Sequence, residues 1–76
     1  MKSVRVSLNT IDRVKNFVNT VSKFEYDFEL ITERAIINAK SIIGIFSLDL
    51  TKPIHMNIHA DGRVDHVIDA LELYIV

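Results

Sequence analysis

The sequence predicts a single α+β domain in which one sheet is covered on one face by helices. Three observations predict it. Four stretches alternate apolar and polar residues, three stretches return an apolar residue every three or four positions, and the two kinds interleave in the order β-α-β-β-α-β-α. Each strand and each helix therefore has one apolar side to bury, and stacking the helices on one side of the sheet buries them all.

Residues Val4-Arg5-Val6-Ser7-Leu8 alternate with the period of two expected of a strand with one face on a core. Asn9 and Thr10 are both good helix N-caps, and Ile11, Val14, Phe17, Val18 and Val21 then form one apolar helical stripe, which places a helix at about 10–22. Phe24-Glu25-Tyr26-Asp27-Phe28-Glu29-Leu30 alternates without a fault, with three aromatics and Leu30 on one face and three carboxylates on the other. It is expected to be the second strand, and the aromatics are expected in the core. Thr32-Glu33-Arg34 reads as a turn into a short third strand around 35–38.

Ser41 then precedes Ile42-Ile43-Gly44-Ile45-Phe46-Ser47-Leu48, which is too apolar on all sides for a surface strand or loop and is better met by a short helix. Pro53 can open a strand but cannot donate from the middle of a ladder, and Ile54-His55-Met56-Asn57-Ile58-His59 alternates behind it as the fourth strand. Asp61-Gly62 is a turn. Val64, Val67, Ile68 and Leu71 follow at helical spacing, predicting a last helix from about 63 to the end of the chain. The closing Leu71-Glu72-Leu73-Tyr74-Ile75-Val76 is unusually apolar, and is expected to pack on the sheet or on a second copy.

Seventy-six residues suffice for one small domain. With 49% hydrophobic residues and no cysteine, its stability rests on a packed core without disulfides or thiolate-bound metal. Nine basic against ten acidic side chains give no long-range attraction to a nucleic-acid backbone. Met1-Lys2-Ser3 runs directly into the first alternation, so neither a leader nor a membrane span is expected, and the absence of cysteine favours the cytoplasm.

The candidate chemistry is sparse. His55 and His59 share a strand face, but residues four apart on a strand lie about 13 Å apart, too far to hold one ion together. They are expected on a solvated face beside the carboxylates Glu25, Asp27 and Glu29, and His66 on the polar side of the last helix. No nucleophile-base pair, phosphate-cradling glycine loop or zinc spacing is present, so no catalytic residue, metal or cofactor is expected.

The element order, together with Ala39-Lys40-Ser41-Ile42-Ile43-Gly44-Ile45-Phe46-Ser47-Leu48, resembles the HPr family, the histidine-containing phosphocarriers of the bacterial sugar phosphotransferase system. Lys40-Ser41-Ile42-Ile43-Gly44 matches the Gram-positive members most closely, and the spacing agrees without gaps from Phe17-Val18 to Ala60-Asp61-Gly62. The resemblance implies an open-faced β-sandwich, its antiparallel sheet ordered 1-4-2-3. It departs at the functional loop. Where the family carries a Gly-Leu-His-Thr-Arg-Pro-Ala type motif, this chain reads Leu8-Asn9-Thr10-Ile11-Asp12-Arg13-Val14 and is shorter. Counting back from Phe17-Val18, Thr10 stands at the phosphoryl-accepting histidine, Asp12 at the arginine and Arg13 at the proline.

A phosphothreonine ester is a far poorer donor than a phosphoramidate, and Asp12 opposes an incoming phosphoryl group at the helix N-terminus. The resemblance therefore implies a degenerate member lacking the active-site histidine, similar to the catabolite-repression HPr paralogue and non-catalytic. Ser41 matches the family's regulatory serine, phosphorylated in many Gram-positive members by a dedicated kinase, and is equally well placed as an ordinary N-cap. Ile42, Ile43 and Phe46 occupy positions where relatives meet partner proteins, while Ile45, Leu48 and Leu50 are expected to face inward. The expected partners are proteins, an HPr kinase-like enzyme or a transcriptional regulator, with neither nucleic acid nor membrane, for a monomer or weak homodimer. An atypical phosphocarrier served by Enzyme I and an assembly module using neither site are the alternatives.

Overall fold

The computed structural model describes residues 1–76. Its elements are β1 (Lys2–Val6), α1 (Ile11–Val21), β2 (Asp27–Ile31), β3 (Ile36–Asn38), α2 (Ile42–Phe46), β4 (Ile54–His59) and α3 (Asp65–Ala70). The strands form one antiparallel sheet in the order β1-β4-β2-β3.

Three boundaries differ from those read in the sequence, and each is set by a ladder partner or by the chain end. The alternation at Val4–Leu8 continues past the strand, because Val6 pairs with Ile54 and the next residue on that side is Pro53, which has no N–H to give. Phe24–Leu30 alternates throughout, yet β2 begins only at Asp27. That residue pairs with His59, the last of β4, and Phe24-Glu25-Tyr26 have no strand beside them. The last helix stops at Ala70 rather than continuing to the end. The final residues turn back along β1: Ser7 N–H donates to the Tyr74 carbonyl at 2.7 Å, Val76 N–H to the Arg5 carbonyl at 3.0 Å, and Ile75 bridges Val6. Of the two expectations for this apolar tail, packing on its own sheet holds.

Within α1, Val14, Phe17 and Val21 are fully buried at helical spacing, whereas Ile11, counted in the same stripe, is 63% exposed in the first turn. The Thr32 hydroxyl accepts from the Arg34 and Ala35 N–H groups and closes the turn between β2 and β3. Gly62 takes a φ of +88°, the left-handed conformation that the turn before α3 requires.

Alternation then sorts the sheet into two faces. Val4, Val6, Phe28, Leu30, Ile37, Ile54, Met56 and Ile58 face the helices, with Ile45, Val67 and Leu71 among the buried residues opposite. Every buried residue is apolar, and Phe17 meets Tyr74 edge to face at 5.6 Å. The other face stays bare, carrying Ser3 and Arg5, His55, Asn57 and His59, Asp27, Glu29 and Ile31, and Ile36 and Asn38 across its four strands.

Candidate functional site

The first candidate region is the N-terminus of α1. Thr10 is the N-cap, with extended backbone, and its Oγ1 accepts from the Arg13 N–H at 3.1 Å. Asp12 sits exposed in the first turn, where its carboxylate complements the helix dipole. The Arg13 side chain is committed elsewhere. Its Nε and Nη2 donate to the Ser7 carbonyl at 3.1 and 2.9 Å, Nη2 also donates to the Leu73 carbonyl at 2.8 Å, and the guanidinium lies 5.2 Å from the centre of the Tyr74 ring. The helix end thus offers a threonine hydroxyl already used as a cap, an acidic side chain and a cation bound to two backbone carbonyls. These groups give no imidazole to accept a phosphoryl group and no free cation to hold one.

The second region is the N-terminus of α2. Ser41 caps it with extended backbone, Oγ accepting from the Gly44 N–H at 3.2 Å, and is half-buried. The neighbouring Lys40 turns away: its Nζ donates to the Phe24 carbonyl at 2.7 Å and lies 5.6 Å from the centre of the Phe28 ring. Helical spacing divides the apolar run into two sets. Ile42 and Ile45 turn inward, Ile42 half-buried and Ile45 fully buried, and Leu48 and Leu50 pack partly against the same core. Ile43 and Phe46 point the other way, 83% and 43% exposed. Of the three residues expected to meet partners, two form an outward surface and Ile42 sits at its inner margin.

The histidines lie away from both regions. His55 and His59 are on the bare sheet face, where the His59 imidazole meets the Glu29 carboxylate. His66 of α3 is exposed, its ring edge-on to Phe24 and Tyr26 at 5.7 and 6.2 Å, in the segment that follows the far end of α1. After α2, Thr51 donates its hydroxyl and its N–H to Asp49 at 2.6 and 3.0 Å. These bonds, the hydroxyl first, hold the Asp49 carboxyl below its ordinary range, with a smaller contribution from Lys52.

Sequence reading located both helix N-termini, the Ser41 cap, Thr10 as one of two candidates for the other, and two of the three residues it expected to face outward on α2. It missed the Arg13 contacts. The acceptor at Leu73 lies 60 residues away, and no local pattern signals it.

The comparisons with known proteins agree with the fold. The family model described as PTS HPr component phosphorylation site matches residues 13–75, so Thr10 and Asp12 fall just before the matched stretch. Among solved structures, the chain is similar to HPr-C-His from Thermoanaerobacter tengcongensis, with 28% identity and a TM-score of 0.75 over 95% of this chain and 88% of that one. It is similar to the phosphocarrier protein HPr from Bacillus anthracis str. Ames, with 28% identity and a TM-score of 0.73 over 99% and 94%. A histidine-containing phosphocarrier protein from Mycoplasma shares the fold, at 21% identity and a TM-score of 0.67 over 95% and 86%. A sheet ordered β1-β4-β2-β3, three helices on one face, and a family match across most of the residues lead to one conclusion: the chain belongs to the HPr family of the phosphotransferase system.

Proposed function

We propose that this chain is a non-catalytic HPr-like module that regulates by binding proteins through α2, and that it does not carry phosphoryl groups. The observation that supports it is the contrast between its two helix N-termini. At α1, a family position that needs an imidazole and a free cation has a capping threonine, Asp12, and an Arg13 bound to the Ser7 and Leu73 carbonyls. At α2, Ser41 stands beside an outward Ile43 and Phe46.

Phosphorylation of Ser41 by an HPr kinase-like enzyme would add close to two negative charges beside that apolar pair, changing which protein docks there. A transcriptional regulator is the second class of partner, as for the catabolite-repression HPr paralogue. In this reading the chain works in the cytoplasm as a monomer or weak homodimer, without a nucleic-acid or membrane partner; no helix is long and apolar enough to cross a membrane.

Two reactions test it. Incubation with ATP and an HPr kinase, followed by mass spectrometry, is expected to give one phosphoserine at Ser41 that disappears in Ser41→Ala; an unmodified Ser41 removes the switch. Incubation with Enzyme I and phosphoenolpyruvate is expected to leave no acid-labile phosphate. A phosphohistidine at any of the three histidines would establish the atypical carrier instead.

A further inference from the structure

The bare face of the sheet takes no part in binding through α2, and the strand register sets its side chains in rows. Arg5, His55, Ile31 and Ile36 lie in the first row, Ser3, Asn57, Glu29 and Asn38 in the second, and His59 and Asp27 in the third. Arg5, Asp27 and His55 make no ion pair within the chain, and Ile36 stands 65% exposed at one corner beside the half-buried Ile31. The Ser3 hydroxyl donates to Asn57 Oδ1 at 2.6 Å, which leaves the Asn57 amide nitrogen with its donors free. Asn57 is halfway between Arg5 and Asp27, one strand and one same-face step from each. With strands about 4.8 Å apart and same-face residues about 6.8 Å apart, the line from Asn57 to Ile36 meets the line from Arg5 to Asp27 at right angles. A twofold axis along the first line therefore carries Arg5 of each copy onto Asp27 of the other. It also sets Asn57 and Ile36 against their own counterparts and brings His55 beside the other copy's Glu29.

We propose that this face pairs with the same face of a second copy, in a twofold dimer held by two Arg5–Asp27 ion pairs, an Asn57 amide pair and an Ile36 contact on the axis. The charge pattern selects the occupant, because the face carries both a cation and the carboxylate that complements it, placed where one symmetry operation exchanges them. The strands of the two sheets then cross at about 70°, toward the orthogonal class of sheet packing. The sheet edges are poorer sites for a second copy: the C-terminal tail already bonds β1, and β3 offers only three residues. The face measures about 19 by 17 Å, which is small and makes the association weak and reversible. The proposal rests on the homodimer of the reading above and uses neither helix N-terminus.

Sedimentation equilibrium of the chain at concentrations up to about 1 mM, where contacts of this size are populated, tests the dimer. Arg5→Glu and Asp27→Lys each bring like charges together twice per dimer, and each is expected to weaken association about tenfold or more. An equimolar mixture of the two variants is expected to associate as the parent does, because each copy then supplies the charge the other lacks. Ile43→Asp, on α2, is expected to leave association unchanged. Circular dichroism checks that each variant folds, and the substituted side chains are all exposed. A monomer mass at every concentration overturns the dimer while leaving the Ser41 reaction standing. Undiminished association in both charge variants, or no recovery in their mixture, overturns this face, and a loss in Ile43→Asp instead places the contact on α2.

Discussion

The Arg13 guanidinium donates to carbonyls near both ends of the chain and lies over a buried ring, so its charge contributes to cohesion. Replacing it with methionine keeps the apolar stem and removes three donated bonds. Hydrogen bonds to charged groups are worth about 1.5–3 kcal/mol, so Arg13→Met is expected to lower unfolding stability by about 2 kcal/mol, measured by urea denaturation. Asp49 gives a second test. Its carboxyl titrates below the ordinary range chiefly because the Thr51 hydroxyl bonds its ionised form. A depressed folded value stabilises the fold above the unfolded carboxylate's titration, and that contribution fades as pH falls through the folded one. Thr51→Val is expected to move the Asp49 midpoint upward in an NMR titration, with no comparable movement at the other carboxylates.

At the scale of elements, α2 lies against β3 closely enough that glycine is required at position 44. A Cβ there would stand 2.7 Å from Ile37 Cγ2 and 3.1 Å from Ser41 Oγ. Alanine would normally stabilise a helix interior by about 1 kcal/mol over glycine, but overpacking costs about 1–3 kcal/mol, so Gly44→Ala is expected to be net destabilising by about 1 kcal/mol. Ile37→Leu removes the opposing methyl and is expected to recover most of that loss in the double variant. Such close approaches belong to tertiary structure and cannot be read from Ile42-Ile43-Gly44-Ile45-Phe46 alone.

What was legible at this scale was whatever local chemistry decides. Ser41 caps as expected, Thr10 is the one of the two candidates Asn9 and Thr10 that caps α1, β4 spans Ile54–His59 as its alternation and Pro53 predict, and Val14, Phe17 and Val21 of the α1 stripe are buried. What was not legible depended on a distant partner. Phe24 and Tyr26 keep strand alternation outside any strand because β4 ends at His59, and Leu73-Tyr74-Ile75-Val76 leave their helical pattern because β1 offers an edge to bond.

For the whole molecule, the core is entirely apolar and no buried polar side-chain atom lacks a partner, so stability rests on residues other than the exposed Ile43 and Phe46. Ile43 and Phe46 are exposed, so Ile43→Asp is expected to change unfolding stability by no more than about 0.5 kcal/mol. Loss of a central apolar contact costs an interface about 1–2 kcal/mol or more, so the same variant is expected to be phosphorylated at Ser41 by an HPr kinase about tenfold more slowly at limiting substrate. A variant that loses stability without losing phosphorylation would move the docking surface elsewhere.

The contact of Arg13 with the Ser7 and Leu73 carbonyls also bears on whether a histidine placed at position 10 could take up a phosphoryl group. A single substitution, Thr10→His, would supply an imidazole but leave Asp12 in place and the guanidinium bound to Ser7 and Leu73. It is expected to remain unphosphorylated by Enzyme I. A variant that also frees Arg13 from those carbonyls is expected to lose part of the fold's stability, because the same guanidinium ties α1 to the C-terminal residues.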